Sequence, residues 1–154
     1  MINVHPEICN LCGGKVIYTS NKTVYGREYG SGKCYLCTKC GAYVGTHEQH
    51  PKDSLGILAD AKMRYAKKRC HGLFDIHWRD KERRRTYRTA LYAWLADKMG
   101  IDAADCHFGH FTLEQLDEAY RILLYVKDKQ VALDKKGRVV FSSRNYEKGD
   151  ENSV

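Results

Sequence analysis

No run in the 154-residue sequence approaches the apolar length that spans a bilayer, and no apolar secretory segment opens it. Low-complexity tracts are absent as well. Seven cysteines are an odd number, so a fully paired disulfide framework is excluded. With no secretory segment, a reducing cytoplasm is the expected compartment, where thiols meet metal rather than each other. Positive charge is also missing from most of the chain. The net charge is +7, yet Lys62 to Arg88 alone holds eleven basic residues against Asp75, Asp80 and Glu82, a local excess of eight. The rest of the chain is therefore close to neutral.

What is present begins with two cysteine pairs, Cys9-x-x-Cys12 and Cys37-x-x-Cys40. A two-residue gap lets both thiolates of a pair turn toward one point. The glycines that follow, Gly13 and Gly41, supply a positive-φ backbone that folds amide N–H groups over the sulfurs. Two such hooks facing each other place four thiolates in a tetrahedron, which suits one structural Zn²⁺. A four-cysteine site is closed, so its metal stabilises the fold and leaves no position open for chemistry. Cys34 introduces an ambiguity, because Cys34-x-x-Cys37 has the same spacing. Gly41 favours the later pair and leaves Cys34 as a spare thiol near the site.

Residues 13–46 are rich in strand-formers, including Val16, Tyr18, Val24, Tyr25, Tyr35 and Val44. The Tyr25-Gly26-Arg27-Glu28-Tyr29-Gly30 stretch has the form of a turn or bulge. The five tyrosines of this ribbon could stack unpaired bases, or simply pack a small sheet. Beyond the polar loop His47–Asp53, Asp53 or Ser54 is expected to cap a helix running to about Trp78. Its stripe comprises Leu55, Ala59, Met63, Ala66, Cys70, Leu73, Phe74 and His77. A second helix is expected from about Arg83 to Met99, stopped by Gly100, with Tyr87, Leu91, Trp94, Leu95 and Met99 inside. Thr112 and Gln115 form a capping box for a third, whose core face is Leu116, Ala119, Leu123 and Val126. Val131–Leu133 and Val139–Phe141 then read as a hairpin across residues 134–137. The expected fold class is α+β: a zinc ribbon over residues 1–50 packed on a three-helix domain with a terminal hairpin over 51–141. Residues 142–154 are read as a flexible tail.

Several of these motifs occur in an order that resembles the small zinc-finger-containing domain family of bacteriophages and prophages. They are Cys9-Asn-Leu-Cys12-Gly13, Tyr25-Gly-Arg-Glu-Tyr29-Gly30 and Cys37-Thr-Lys-Cys40 through His47. Leu55-Gly-Ile-Leu-Ala-Asp60, His71, Phe74-Asp75-x-x-Trp78, Ala93-Trp94-Leu95-Ala96 and Cys106-His107 follow. The resemblance covers roughly residues 7–111 and departs at Asn10, where a proline is expected. It implies metal ligation by Cys9, Cys12, Cys37 and Cys40 and a setting in the cytoplasm of a bacterial host cell. It supplies no activity.

Three functional readings follow. In the first, the protein is non-catalytic and binds nucleic acid, with Lys68, Arg79, Arg83, Arg84, Arg85 and Arg88 on phosphates irrespective of sequence. In the second, the same arginines dock on an acidic surface of a host protein such as a polymerase or defence factor. In the third, His47, His50, His71, Cys106, His107 and His110, with Asp60 and Asp75, assemble a second metal centre of nuclease type. No spacing among those residues matches a nuclease motif, so catalysis ranks last.

Overall fold

A computed structural model describes residues 1–143. The chain divides into two compact units: Met1–Tyr65 with Gly109–Thr112, and Ala66–Phe108 with the described residues from Leu113 on. The expected tail overlaps the description only at Ser142 and Ser143, which belong to a strand; its remainder lies outside the described residues.

The first unit is built on a three-stranded antiparallel sheet in the order β1 (Val16–Ser20), β2 (Lys33–Cys37), β3 (Tyr43–Gly45). Val16 pairs with Cys37 and Tyr18 with Tyr35, and Tyr35 pairs in turn with Val44. Alternation along β2 puts Tyr35 and Cys37 on one face and Cys34 on the other. Val16, Tyr35, Cys37, Ala42 and Val44 close a small core with Cys9 and Leu58. Val24 and Tyr25 do not lie in a strand. They belong to α1, a single helical turn over Lys22–Tyr25. Asn21 holds the loop that carries it. Its side-chain amide donates to the Tyr29 carbonyl (2.6 Å) and accepts from the Tyr29 N–H (3.1 Å), and its own N–H donates to Gly32 (3.0 Å). The backbone is thereby satisfied without a partner strand.

The expected helix start at Asp53 or Ser54 is displaced to Ala61, where α2 (Ala61–Asp75) begins. Asp60 is its cap, accepting the Met63 N–H at 2.9 Å. Residues 54–59 instead run alongside β3, with Leu55 N–H on the Gly45 carbonyl and reciprocal bonds between Ala59 and Tyr43. Leu55 and Ala59 mimic a helical stripe, but Gly56 between them costs about 1 kcal/mol in a helix, and the strand edge offers better partners.

In the second unit, α2 buries Cys70, Phe74 and, just past its end, His77. Helix α3 (Arg84–Met99) buries Leu91, Leu95 and Ala96, and ends at Gly100 in the left-handed conformation. Helix α4 (Leu113–Val126) starts just after Thr112 and buries Leu116, Ala119, Leu123 and Val126, the face expected from its spacing. Phe74, Tyr92 and Phe108 form an aromatic cluster with ring centroids 4.4 to 6.0 Å apart. Strands β4 (Lys129–Leu133) and β5 (Val139–Ser143) make the expected hairpin. At its turn the Lys136 and Arg138 N–H groups donate to one Asp134 carboxylate oxygen and the Arg138 side chain to the other.

Trp94 departs from expectation. It is half-buried, its ring 4.8 Å from that of Phe141, whereas Leu95 and Ala96 are fully enclosed. Trp94→Ala is accordingly expected to cost about 2 kcal/mol in urea unfolding, less than the ~3–5 kcal/mol of a fully buried tryptophan. A loss above that lower range would place the indole inside the core.

Candidate metal centre and basic surface

The two cysteine hooks are built alike. In the first, Gly13 N–H donates to the Cys9 carbonyl (3.0 Å) and Cys9 N–H to the Gly14 carbonyl (2.8 Å). The second repeats both bonds, Gly41 to Cys37 (3.1 Å) and Cys37 to Ala42 (2.8 Å). Each turn needs a left-handed residue, and Gly13 (φ 75°) and Gly41 (φ 80°) supply it. The turns aim amides at sulfur: Leu11 N–H at Cys9 (3.4 Å), Gly14 at Cys12 (3.3 Å), Lys39 and Cys40 at Cys37 (3.3 and 3.4 Å).

All four sulfurs lie within 4.8 Å of one another. Cys9 and Cys40 are 3.7 Å apart, Cys12 and Cys37 3.4 Å. A tetrahedron with metal–sulfur distances of about 2.3 Å has edges of about 3.8 Å, so the cage fits zinc. The electrostatics agree. Amides from Cys40 and Lys39 hold the Cys37 thiol down to about 6. The Ala42 N–H pulls the Cys40 thiol the same way, but desolvation and the neighbouring sulfurs outweigh it and push that thiol up to about 12. Four thiolates cannot coexist here by themselves; a dication at their centre lets them.

Asn10, between the first two ligands, was not singled out as functional by its sequence context. Its amide donates to the Leu58 carbonyl and accepts the Leu58 N–H, both at 2.9 Å, as a strand neighbour would. The first hook is thus fixed to the segment that precedes α2. Cys34 is buried in β2 outside the cluster, and burial pushes its thiol up. Among the described residues, the four cysteines form the one group of metal-binding side chains close enough to share an ion. His47 lies against His50 (6.5 Å between rings), His71 against Phe108 (4.7 Å) and His107 against Tyr92 (6.0 Å); none of them belongs to such a group among the described residues. Cys106 is fully buried, its thiol pushed up to about 11 by that burial.

The basic residues fall into three kinds. Arg79 pairs with Asp75 at 3.7 Å. Arg88 lies with its guanidinium 5.6 Å from the Trp78 ring and 5.4 Å from that of Tyr92. Arg83, Arg84 and Arg85, together with Lys68 on α2, are exposed and make no ion pair among the described residues.

Two cysteine knuckles beside a short antiparallel sheet define a zinc-ribbon protein whose metal is structural. A model of the zinc-finger-containing domain family matches residues 5–126, and the chain belongs to that family. No curated protein and no solved structure matches it. No helix among the described residues is long and apolar enough to cross a membrane.

Proposed function

We propose that the protein binds nucleic acid through the exposed arginines at the start of α3, without base specificity at those contacts. The observation that carries this reading is an electrostatic conflict. A helix N-terminus bears about half a positive charge and favours acidic residues. Here Arg83 occupies the cap position without a side-chain cap bond, Arg84 and Arg85 follow, and the first turn holds no acid. This arrangement weakens the helix, so its compensation is expected from an anion outside the chain. Unpaired backbone N–H groups and three guanidinium forks together suit phosphate oxygens. Arg88, lying over its own aromatic neighbours, contributes less.

The test is fluorescence anisotropy with short single-stranded and duplex probes at two salt concentrations. Neutralising Arg84 and Arg85 to Gln should weaken binding about equally for different sequences. It should also reduce the slope of log K against log salt by nearly one unit per lost phosphate contact. Binding by the wild type with an unaltered slope in the variant would remove these arginines from the interface. No binding at low salt would overturn the reading and leave an acidic protein surface as the partner of the same cations.

A further inference from the structure

The second unit carries a feature that the arginine turn does not explain. Three surface depressions adjoin one another along α3. The first lies between Arg85, Ala90, Ala93 and the hairpin turn at Gly137; the second shares those small residues and reaches Trp94, Lys98 and Arg138. The third, of about 550 Å³, shares Trp94 and Lys98 and is completed by Arg121, Tyr125, Lys129 and Phe141. Arg85 to Lys98 spans roughly 20 Å of helix at 1.5 Å per residue. Among the described residues, five cations line the whole track and only Asp97 and Asp134 oppose them, the latter already engaged by Arg138 and two backbone amides.

The third depression joins two chemistries. Its walls are aromatic: Trp94 is half-buried against Phe141, while Tyr125 is 77% exposed and has the Lys129 ammonium 4.9 Å from its ring centroid. Its rim carries Lys98, Arg121 and Lys129 and, among the described residues, no carboxylate. A free phosphate would not need the aromatic walls, and an apolar ligand would not need three cations. A flat ring joined to phosphates needs both.

We infer that this groove takes an unpaired nucleic-acid strand, with a base against Trp94 and Tyr125 and its phosphates on Lys98, Arg121 and Lys129. The inference rests on the nucleic-acid reading above and deepens it. The arginine turn supplies affinity for any polyphosphate, and the aromatic pocket makes the protein prefer bases that are free to leave a stack. The small side chains of Ala90 and Ala93, with Gly137, leave the backbone of the strand room to follow α3.

The experiment uses the full-length, zinc-loaded protein and four probes: a short labelled DNA strand, the corresponding RNA strand, the DNA duplex and inorganic polyphosphate. The strands should bind more tightly than the duplex or polyphosphate. Tyr125→Ala, at an exposed position where folding is not at stake, should lower single-strand affinity about tenfold, leave duplex binding unchanged and leave the salt slope intact. In a Trp78→Phe background, Trp94 is the one remaining tryptophan, and its fluorescence should be quenched by the strand and not by polyphosphate. Wild-type binding with no change in the Tyr125→Ala variant and no Trp94 quenching would overturn the base pocket while the arginine reading stands. Strands that bind no better than polyphosphate would do the same. Wild-type protein that binds none of the probes would remove both.

Discussion

Cys37→Ser is expected to reduce the zinc content from one ion per chain to nearly none and to unfold the ribbon. Its core consists of Val16, Tyr35, Ala42, Val44 and Leu58 with three of the ligands, Cys9, Cys12 and Cys37. Each buried apolar side chain contributes about 1.5–3 kcal/mol, whereas ordering each residue of the backbone costs about 1–2 kcal/mol. Five such side chains cannot order a sheet, a helical turn and two knuckles. Structural zinc contributes on the order of 10–16 kcal/mol to the folding of small fingers at neutral pH, which is large enough to decide the balance. The alternation of β2 sharpens the test. Cys34 and Cys37 are three positions apart and face opposite ways, so Cys34→Ala should retain the metal and most of the stability. Elemental analysis for zinc and near-ultraviolet circular dichroism on both variants provide the readout. Zinc lost from Cys34→Ala and kept by Cys37→Ser would exchange their roles.

The contrast between Cys34 and Cys37 also marks how far the sequence can be read. Spacing alone permits either pair, and the glycine after Cys40 tips the choice, but the reason that Cys34 is excluded is a strand register that only pairing with Val16–Ser20 establishes. Helix α4 was legible because its apolar residues recur at one period and nothing competes for them. The start of α2 was not, since Leu55 and Ala59 carry the right spacing while a strand edge at Tyr43 and Gly45 captures their backbone. Val24 and Tyr25 show the same limit in reverse: good strand-formers without a strand beside them become a helical turn held by Asn21. At the candidate site, the four ligands and the basic run were visible as residues. That the run meets a helix start was legible too, since a helix was expected from about Arg83; that Arg83 takes the cap position without a side-chain bond was not. The aromatic pocket was hidden further, since Trp94, Tyr125 and Phe141 come from α3, α4 and β5.

The cysteines outside the metal site illustrate a related point. Cys70 and Cys106 are both fully enclosed, with thiols pushed up to about 11 by burial. The Cys70 thiol also lies 3.3 Å from the Leu116 carbonyl. A thiol that resists ionisation is a poor nucleophile and a poor metal ligand, so these two act as small apolar side chains. With Cys34, likewise buried with its thiol pushed up, the same residue type thus serves packing at three positions and metal at four. The difference lies in whether backbone amides or hydrocarbon surround the sulfur.

Gly56→Ala should be among the most destabilising single substitutions in the first unit. A methyl group on Gly56 would sit 2.1 Å from the Gly109 carbonyl oxygen and 2.7 Å from its carbon. Ordinary carbon–oxygen contacts lie at about 3.3–3.6 Å, so the two backbones must separate by more than 1 Å. Neither can move cheaply. Ile57 N–H donates to that same Gly109 oxygen at 2.9 Å, and on the other side Leu55 and Ala59 are bonded to Gly45 and Tyr43 of β3. Separation therefore breaks either the Ile57 bond or the strand pairing. Steric overpacking costs about 1–3 kcal/mol, and a buried amide left without a partner adds about 1–3 kcal/mol. Against this, alanine reduces the freedom of the unfolded chain by only about 0.4–1 kcal/mol. The expected net loss is about 3 kcal/mol, read as a lower urea midpoint of the zinc-loaded protein and faster hydrogen exchange at Ile57. Gly109→Ala is the control, because a methyl there would lie 3.3 Å from the Leu55 carbonyl oxygen and needs a shift of only a few tenths of an ångström. It should cost about 1 kcal/mol. Equal and small losses for the two variants would show that residues 56 and 109 do not approach this closely in solution, and the path of the segment between β3 and α2 would have to be redrawn.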